Sequence, residues 1–298
     1  MTDLIQLGKT PIHVSRLAWG MWRFRGDDLR FAQELVETAL ESGITLLDTA
    51  DVYGPDNGEP FGAAEALLGR VLAAAPHLRD RFVLASKGGI VIGTPYDSSP
   101  GYLRQAVEAS LRRLGTERID LYQIHRPDLL AHPAEVARTL DDLRREGRIG
   151  EVGVSNHTAW QTAALQAHLP FPLASTQVEL SPLAIEPLAD GVLDQAMTEG
   201  WAVLAWSPLG QGRLGEGAAG DARVQAVRAA LDAAAERAGV SRTVAAYAWV
   251  LSHPSRPIPI VGSQRPERIR EAAAALDVRL TRAEWYAVLT AGRGAPLP

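Results

Sequence analysis

The chain has 298 residues, of which 46% are apolar and 22% charged, a balance typical of a globular protein with a sizeable core. Its formal net charge of -5 does not fit a nucleic-acid-binding protein, because such proteins present a basic face. It contains no cysteine, which excludes disulfides and thiolate chemistry and fits a reducing, cytoplasmic location. We expect neither a signal peptide nor a membrane span, since no apolar run approaches the roughly 20 residues that cross a bilayer.

The predicted elements begin with a β-hairpin, after which short apolar strands alternate with longer helices. The hairpin pairs LIQL (4–7) with IHVS (12–15) around the turn GKTP (8–11). Eight further strands are predicted over 16–20, 45–48, 82–87, 120–125, 151–156, 175–180, 202–206 and 258–261. Helices are predicted over 27–42, 63–73, 100–114, 134–147, 158–167, 189–199, 223–252 with a break near Gly239, 266–276 and 282–291.

This alternation indicates the fold class. The first strands are continuously apolar, as expected when both faces of a parallel sheet are buried. Eight strands interleaved with helices predict a closed (β/α)8 TIM barrel carrying an N-terminal β-hairpin, with an open doubly wound sheet as the alternative. No linker or change in composition divides the chain, so we expect one domain over residues 1–298.

Polar side chains recur where the predicted strands end, which is where a barrel of this kind places its active site. These strand-end residues are Gly20, Asp48, Lys87, His125, Asn156, Gln177 or Glu179, Trp206 and Ser263. Asp48, Lys87 and His125 end consecutive strands and should be neighbours, and Tyr53 follows in the loop after Asp48. Lys87 is also one of only two lysines among thirty basic residues, which favours a role that needs a compact ammonium group.

Asp48, Tyr53, Lys87 and His125 supply the groups that reduction of a carbonyl needs besides a hydride donor. A phenol can protonate the developing alkoxide, and a lysine cation beside it lowers a reference pKa of about 10. An aspartate can hold the lysine, and a neutral histidine can orient the carbonyl. Each residue also has a structural explanation when taken alone, as a cap, a loop aromatic or a hydrogen-bonded histidine. The combination favours catalysis.

Seven segments of the chain, in order, resemble the aldo-keto reductases. They are DTADVYG (48–54), ASKGG (85–89), YQIHRPD (122–128), GEVGVSNH (150–157), STQVELSPL (175–183), LAWSPLGQG (204–212) and IPIVGSQRPERIRE (258–271). The likeness is nearest to the bacterial oxidoreductase branch whose fourth strand ends in IHRPD. It implies a barrel enzyme, monomeric by resemblance, that reduces aldehydes or ketones to alcohols.

The resemblance also implies roles for individual residues. Asp48, Tyr53, Lys87 and His125 match the catalytic tetrad, with Tyr53 as the general acid. The expected contacts to the cofactor are Gly20, Met21, Ser155, Asn156, Gln177, Trp206, Ser207, Leu209, Gly210, Gly212, Ser263 and Arg268.

Within that cofactor set, the resemblance assigns four groups of residues to different parts of the nucleotide. Residues 155, 156 and 177 match those that hydrogen-bond the nicotinamide carboxamide, residue 206 stacks on the ring, and residues 207–212 cover the pyrophosphate. Ser263 and Arg268 match contacts to the adenosine 2'-phosphate, which implies NADPH (NADP+). Many members of the family have a lysine at the position of Gly262 and an asparagine at that of Ala272. Arg265 could supply the positive charge that the missing lysine would bring to the phosphate.

The remaining expectations concern the surroundings of the site. Trp22 is expected to line the substrate pocket, and Asp51 to be a solvated loop acid. No metal site is expected, because the histidines are scattered. GQGRLG (210–215) fits the dinucleotide-binding glycine pattern, but Gly-rich sequence rather than a helix follows it.

Two other functions remain open. A lyase or isomerase on the same barrel would use Lys87 to form a Schiff base. A nicotinamide-binding sensor or regulatory subunit would bind the cofactor with little turnover. Neither the substrate nor the reaction direction follows from the sequence. An open site suggests small aldehydes, ketones or quinones.

Overall fold

A computed structural model describes residues 4–217 and 220–297, and in it the N-terminal hairpin closes one end of a barrel. Strands β1 (Ile5–Gln6) and β2 (His13–Val14) pair antiparallel. Leu7 and Val14 are fully buried in one apolar cluster with residues that line the inside of the barrel. The hairpin therefore covers the end of the barrel opposite to the predicted site.

Eight parallel strands close into the barrel, as the sequence predicts. They are β3 (Ala18–Gly20), β4 (Leu46–Asp48), β5 (Val83–Gly88), β6 (Ile119–Ile124), β7 (Ile149–Ser155), β8 (Ser175–Glu179), β9 (Ala202–Trp206) and β10 (Ile258–Val261). β10 pairs in parallel with both β9 and β3, which closes the sheet and rules out the open alternative.

Helices surround the barrel. They are α1 (Leu29–Glu41), α2 (Ala63–Ala74), α3 (Pro100–Leu114), α4 (Pro133–Arg145), α5 (Ala159–Gln166), α6 (Val192–Glu199), α7 (Ala222–Ala238), α8 (Arg242–Leu251), α9 (Pro266–Ala273) and α10 (Arg282–Arg293). The predicted break near Gly239 is confirmed: this glycine ends α7 with a φ of 67°, and the Ser241 hydroxyl then accepts from the Val244 N–H to cap α8. None of the described helices is long and apolar enough to cross a membrane.

Candidate active site

Strand alternation turns the site residues into the barrel. Leu46 and Ala85 belong to the apolar cluster inside the barrel, and side chains two residues apart on a strand point the same way. Asp48 and Lys87 therefore also face inwards, one level nearer the C-terminal ends of their strands. The parallel register places Asp48 opposite Ala85, so Lys87 reaches across to it.

Lys87 and Asp48 form an ion pair inside the barrel. Lys87 Nζ donates to Asp48 Oδ2 at 2.7 Å and to the Thr49 carbonyl at 2.8 Å. The side chains are only 1% and 3% exposed, so the pair is shielded from water and its mutual attraction is strong. Burial alone would lower the pKa of Lys87, but the Asp48 charge, followed by that of Tyr53, raises it above its ordinary value. Lys87 is therefore held as an ammonium ion.

Two glutamines complete the surroundings of Asp48. The Gln177 side-chain amide donates to Asp48 Oδ1 at 3.0 Å, and that of Gln123 donates to the same atom at 3.3 Å. Gln177 was expected to hydrogen-bond the nicotinamide carboxamide, and in the structure its Nε2 donates to Asp48. Gln123 was not anticipated. It is fully buried two residues before His125, so strand alternation is the signal that could have found it.

Tyr53 and His125 lie beside this pair. Lys87 Nζ is 4.9 Å from the centre of the Tyr53 ring, and the rings of Tyr53 and His125 are 5.8 Å apart in an edge-to-face arrangement. The four expected catalytic side chains are thus brought together at one end of the barrel.

The pKa values of Tyr53 and His125 define their protonation at neutral pH. Burial raises the pKa of Tyr53, and although Lys87 acts to lower it as expected, the net shift is upward. Burial lowers the pKa of His125 well below its ordinary value, with further contributions from Lys87 and Arg126. Tyr53 therefore carries its proton and His125 is a neutral imidazole.

Asn156 connects two sides of the barrel mouth. Its Nδ2 donates to the His125 carbonyl at 3.1 Å, and its Oδ1 accepts from Trp206 Nε1 at 3.0 Å. It adopts a left-handed φ of 59°, and its own N–H donates to the Gln177 carbonyl at 2.8 Å. Ser155 Oγ donates to the same carbonyl at 3.2 Å. The expected carboxamide and ring contacts therefore form one connected group.

The other expected cofactor residues lie in the loop after β9 and at the end of β3. Ser207, Gly210 and Gly212 all have positive φ, and Leu209 is partly buried against the core. Gly20 is required for close packing, since a Cβ there would lie 2.6 Å from Ile260 Cγ2. Met21 is fully buried within the apolar core, with its N–H donating to the Asp48 carbonyl.

Several arginines lie beyond β10, where the family resemblance places the 2'-phosphate of the cofactor. Arg268 Nη2 lies 3.1 Å from Glu216 on the facing loop. Arg265 is paired with Glu267 at 2.6 Å, and both this pair and that of Arg268 are exposed, so neither excludes its arginine as a phosphate ligand. Arg23 also lies near Gly262, with its Nη1 4.0 Å from the point that a Gly262 Cβ would occupy.

Trp22 and Asp51 were also assigned roles from the sequence, and both lie near the C-terminal end of the barrel. Trp22 is 39% exposed in the loop after β3 and donates to Asp56 Oδ2 at 3.2 Å, a position open to a substrate. The expectation that Asp51 is a solvated loop acid is wrong. Its N–H donates to the Lys87 carbonyl, which draws the side chain inwards to 1% exposure. Burial, together with the Glu65 charge, raises the pKa of Asp51 well above its ordinary value.

The fold and this site define the class of protein. The model of the aldo/keto reductase family matches residues 16–291, and the chain belongs to that family. It is therefore an oxidoreductase, and the carbonyl-reducing activity expected from the sequence is the one its family supports.

Particular relatives carry more specific names. The chain is 55% identical over 295 residues to the 6-dehydroglucose reductase of Novosphingobium aromaticivorans, covering 98% of this chain and 96% of that protein. It is 38% identical to the 6-dehydroglucose reductase of Agrobacterium fabrum, covering 95% and 96% of the two chains. A solved structure, the glycerol dehydrogenase of Gluconobacter oxydans, superposes with a TM-score of 0.85 at 28% identity, covering 99% and 98%.

Proposed function

We propose that the protein reduces the aldehyde group of an oxidised hexose, of the 6-dehydroglucose type, to a primary alcohol with NADPH as the hydride donor. The observation that carries this proposal is the buried Lys87–Asp48 ion pair beside a protonated Tyr53 and a neutral His125. These four groups meet at the end of the barrel where such folds bind substrates.

The chain's residues have distinct tasks in the reduction. The nicotinamide, when bound, supplies the hydride. Tyr53 gives its phenolic proton to the carbonyl oxygen as negative charge develops there, and the Lys87 ammonium stabilises the phenolate that remains. Asp48 fixes the position of Lys87. The neutral His125 imidazole donates a hydrogen bond that orients the carbonyl towards Tyr53.

Two features support NADPH as the cofactor. Arg268 stands one turn into α9, and Arg23 lies beside Gly262 where the same loop leaves β10. Pro266 at the start of α9 has no N–H, and the Arg268 N–H donates to the Arg265 carbonyl, so the two guanidinium groups are the donors that an anion would meet here. This arrangement fits a 2'-phosphate, which NADH lacks.

The hexose substrate is proposed from the relatives. Two proteins that align with nearly the whole chain are named 6-dehydroglucose reductase, one of them at 55% identity. A polyhydroxylated aldehyde also fits a mouth lined by Trp22 and by polar groups. This narrows the broader expectation of small aldehydes, ketones or quinones to an aldehyde of a sugar.

The structure disfavours the Schiff-base alternative. A lysine that attacks a carbonyl must be neutral, whereas the Asp48 charge holds Lys87 as an ammonium and directs its hydrogens to Oδ2 and the Thr49 carbonyl. The sensor alternative requires only binding, so turnover separates it from the reductase.

The test combines binding with turnover. Titration with NADPH and with NADH, followed by tryptophan fluorescence, should give saturable quenching with a preference for NADPH. Loss of NADPH absorbance with 6-dehydroglucose should follow, and Tyr53→Phe should reduce kcat by about 10²- to 10⁴-fold without changing NADPH affinity. Binding without any turnover would favour the sensor, and unchanged turnover in Tyr53→Phe would remove Tyr53 as the acid.

We further propose that the protein is a cytoplasmic monomer. The family resemblance supports the monomer, and the absence of cysteine fits a reducing compartment. Size-exclusion chromatography with multi-angle light scattering measures the mass in solution, and a monomer should give 32.0 kDa.

A further inference from the structure

Arg126 presents an unpaired guanidinium at the mouth of the barrel. It follows His125 directly, and its Cζ lies 6.0 Å from the centre of the Trp206 ring. Its side chain makes no ion pair or hydrogen bond with any residue in the described parts of the chain. This is unusual here because partly buried arginines elsewhere are paired, as Arg113 is with Glu65. Five donors of Arg126 are therefore free to bind a ligand.

The backbone that carries Arg126 is held on both sides. The His125 N–H donates to the Gly88 carbonyl, and the His125 carbonyl accepts from Asn156. On the other side, Asp128 accepts from the Ser98 N–H at 2.8 Å and from the Leu130 N–H at 2.9 Å. The guanidinium thus extends from a fixed loop, which reduces the entropy lost when it binds a ligand.

A carboxylate stands near Arg126 at the mouth. Glu179 ends β8 and pairs in register with Trp206, the residue over whose ring Arg126 lies. Its Oε1 has one long contact, 3.4 Å from the Gln211 amide. Arg126 and Glu179 are not within ion-pair distance of each other, so both keep hydrogen-bonding capacity. A guanidinium, a carboxylate and an indole ring at one mouth suit a ligand with several hydroxyl groups.

We infer that Arg126 binds hydroxyl oxygens of the substrate, with Glu179 accepting from a hydroxyl, and thereby makes the enzyme selective for polyhydroxylated aldehydes. This inference rests on the proposed reductase function and deepens it. The planar fork of arginine can donate to two neighbouring hydroxyl oxygens at once. A site built to bind hydroxyls discriminates strongly against an analogue that lacks them, because its polar groups are then left unpaired.

The experiment compares two aldehydes with the same six-carbon chain, 6-dehydroglucose and hexanal. Arg126→Met keeps the apolar stem and removes the donors. It should lower kcat/KM for 6-dehydroglucose by about tenfold to a hundredfold, mainly through KM, and leave that for hexanal within about threefold. Arg282→Met is the matched control, since Arg282 lies 5.8 Å from the Tyr286 ring on the outer helix α10. It should change neither value.

A binding measurement separates this inference from the proposed function. Calorimetry measures binding of D-glucose, the alcohol corresponding to 6-dehydroglucose, to the protein saturated with NADP+. If the protein reduces no aldehyde but binds glucose in an Arg126-dependent manner, the proposed function fails while the hydroxyl-binding role of Arg126 stands. Equal losses for both aldehydes, a changed NADPH affinity in Arg126→Met, or no glucose binding to the unmodified protein would each overturn it.

Discussion

Lys87 Nζ lies 2.7 Å from Asp48 Oδ2 in the interior of the barrel, and both side chains are almost completely shielded from water. A buried pair of this kind contributes little net stability compared with apolar residues of the same size, but loss of one partner leaves an uncompensated charge. The pair is therefore better explained by a role in the site than by the stability of the fold.

Lys87→Met should destabilise the protein by about 3–5 kcal/mol, because Asp48 would remain buried without its cation. Urea unfolding followed by circular dichroism measures the loss. Lys9→Met changes the other lysine, which is exposed, and should have little effect. Adding Asp48→Asn to Lys87→Met should restore much of the stability. A single variant as stable as the unmodified protein would show that the Asp48 carboxylate does not need the cation.

Gly88→Ala tests the close packing behind the site. A Cβ at this position would lie 2.1 Å from Tyr122 Oη, in a place where Tyr122 is fully buried and cannot move aside freely. We expect a destabilisation of about 1–3 kcal/mol. Tyr122→Phe in the same chain removes the clashing oxygen and should recover part of it. Gly101→Ala in α3, where a Cβ meets nothing within 4 Å, should be neutral or stabilising.

His157 should make stability depend on pH. Burial lowers its pKa from 6.5 to about 4, so between these values the unfolded chain binds a proton that the folded protein does not. The unfolding free energy should therefore fall as the pH falls through this window, by up to roughly 1.4 kcal/mol per pH unit from this residue.

The contribution of His157 to the pH dependence of stability is obtained by comparing the unmodified protein with a variant that lacks this histidine. Urea unfolding at several pH values on the unmodified protein and on His157→Gln cancels the effects of other groups, such as Asp51, whose raised pKa has the opposite sign. The variant should show a shallower decline below pH 6.5. Identical slopes would mean that His157 is not neutral in the folded protein.

Arg268→Ala should separate the two nicotinamide cofactors. We expect NADPH to bind about tenfold to a hundredfold more weakly, with little change for NADH, because only NADPH carries the 2'-phosphate. Tryptophan quenching gives both dissociation constants. Arg265→Ala is the matched control: it removes a neighbouring exposed guanidinium that the family resemblance does not assign to the 2'-phosphate, and it should have a smaller effect. Equal weakening of both cofactors would place Arg268 at the pyrophosphate.

Much of the architecture was predictable because its signals are local. Apolar runs and cap residues act over a few neighbours, so the strand and helix order, the hairpin and the break at Gly239 are as predicted. Asp48, Lys87 and His125 lie together as predicted, because the ends of consecutive parallel strands must meet in a barrel. The loop after β4 was less predictable, since the placement of Asp51 depends on a hydrogen bond to Lys87, 36 residues further along the chain.

The sequence alone determined the element order, the polar groups at the strand ends and the family, because each is encoded in residue type and short-range spacing. Only the tertiary structure decided which partners these groups have. It placed the side chains of Gln123 and Gln177 within hydrogen-bond distance of Asp48, paired Arg265 with Glu267, and left Arg126 unpaired beside Trp206. It also buried Tyr53, which raises the pKa of that phenol above its ordinary value. Burial and long-range pairing depend on contacts between distant segments, and no local pattern specifies them.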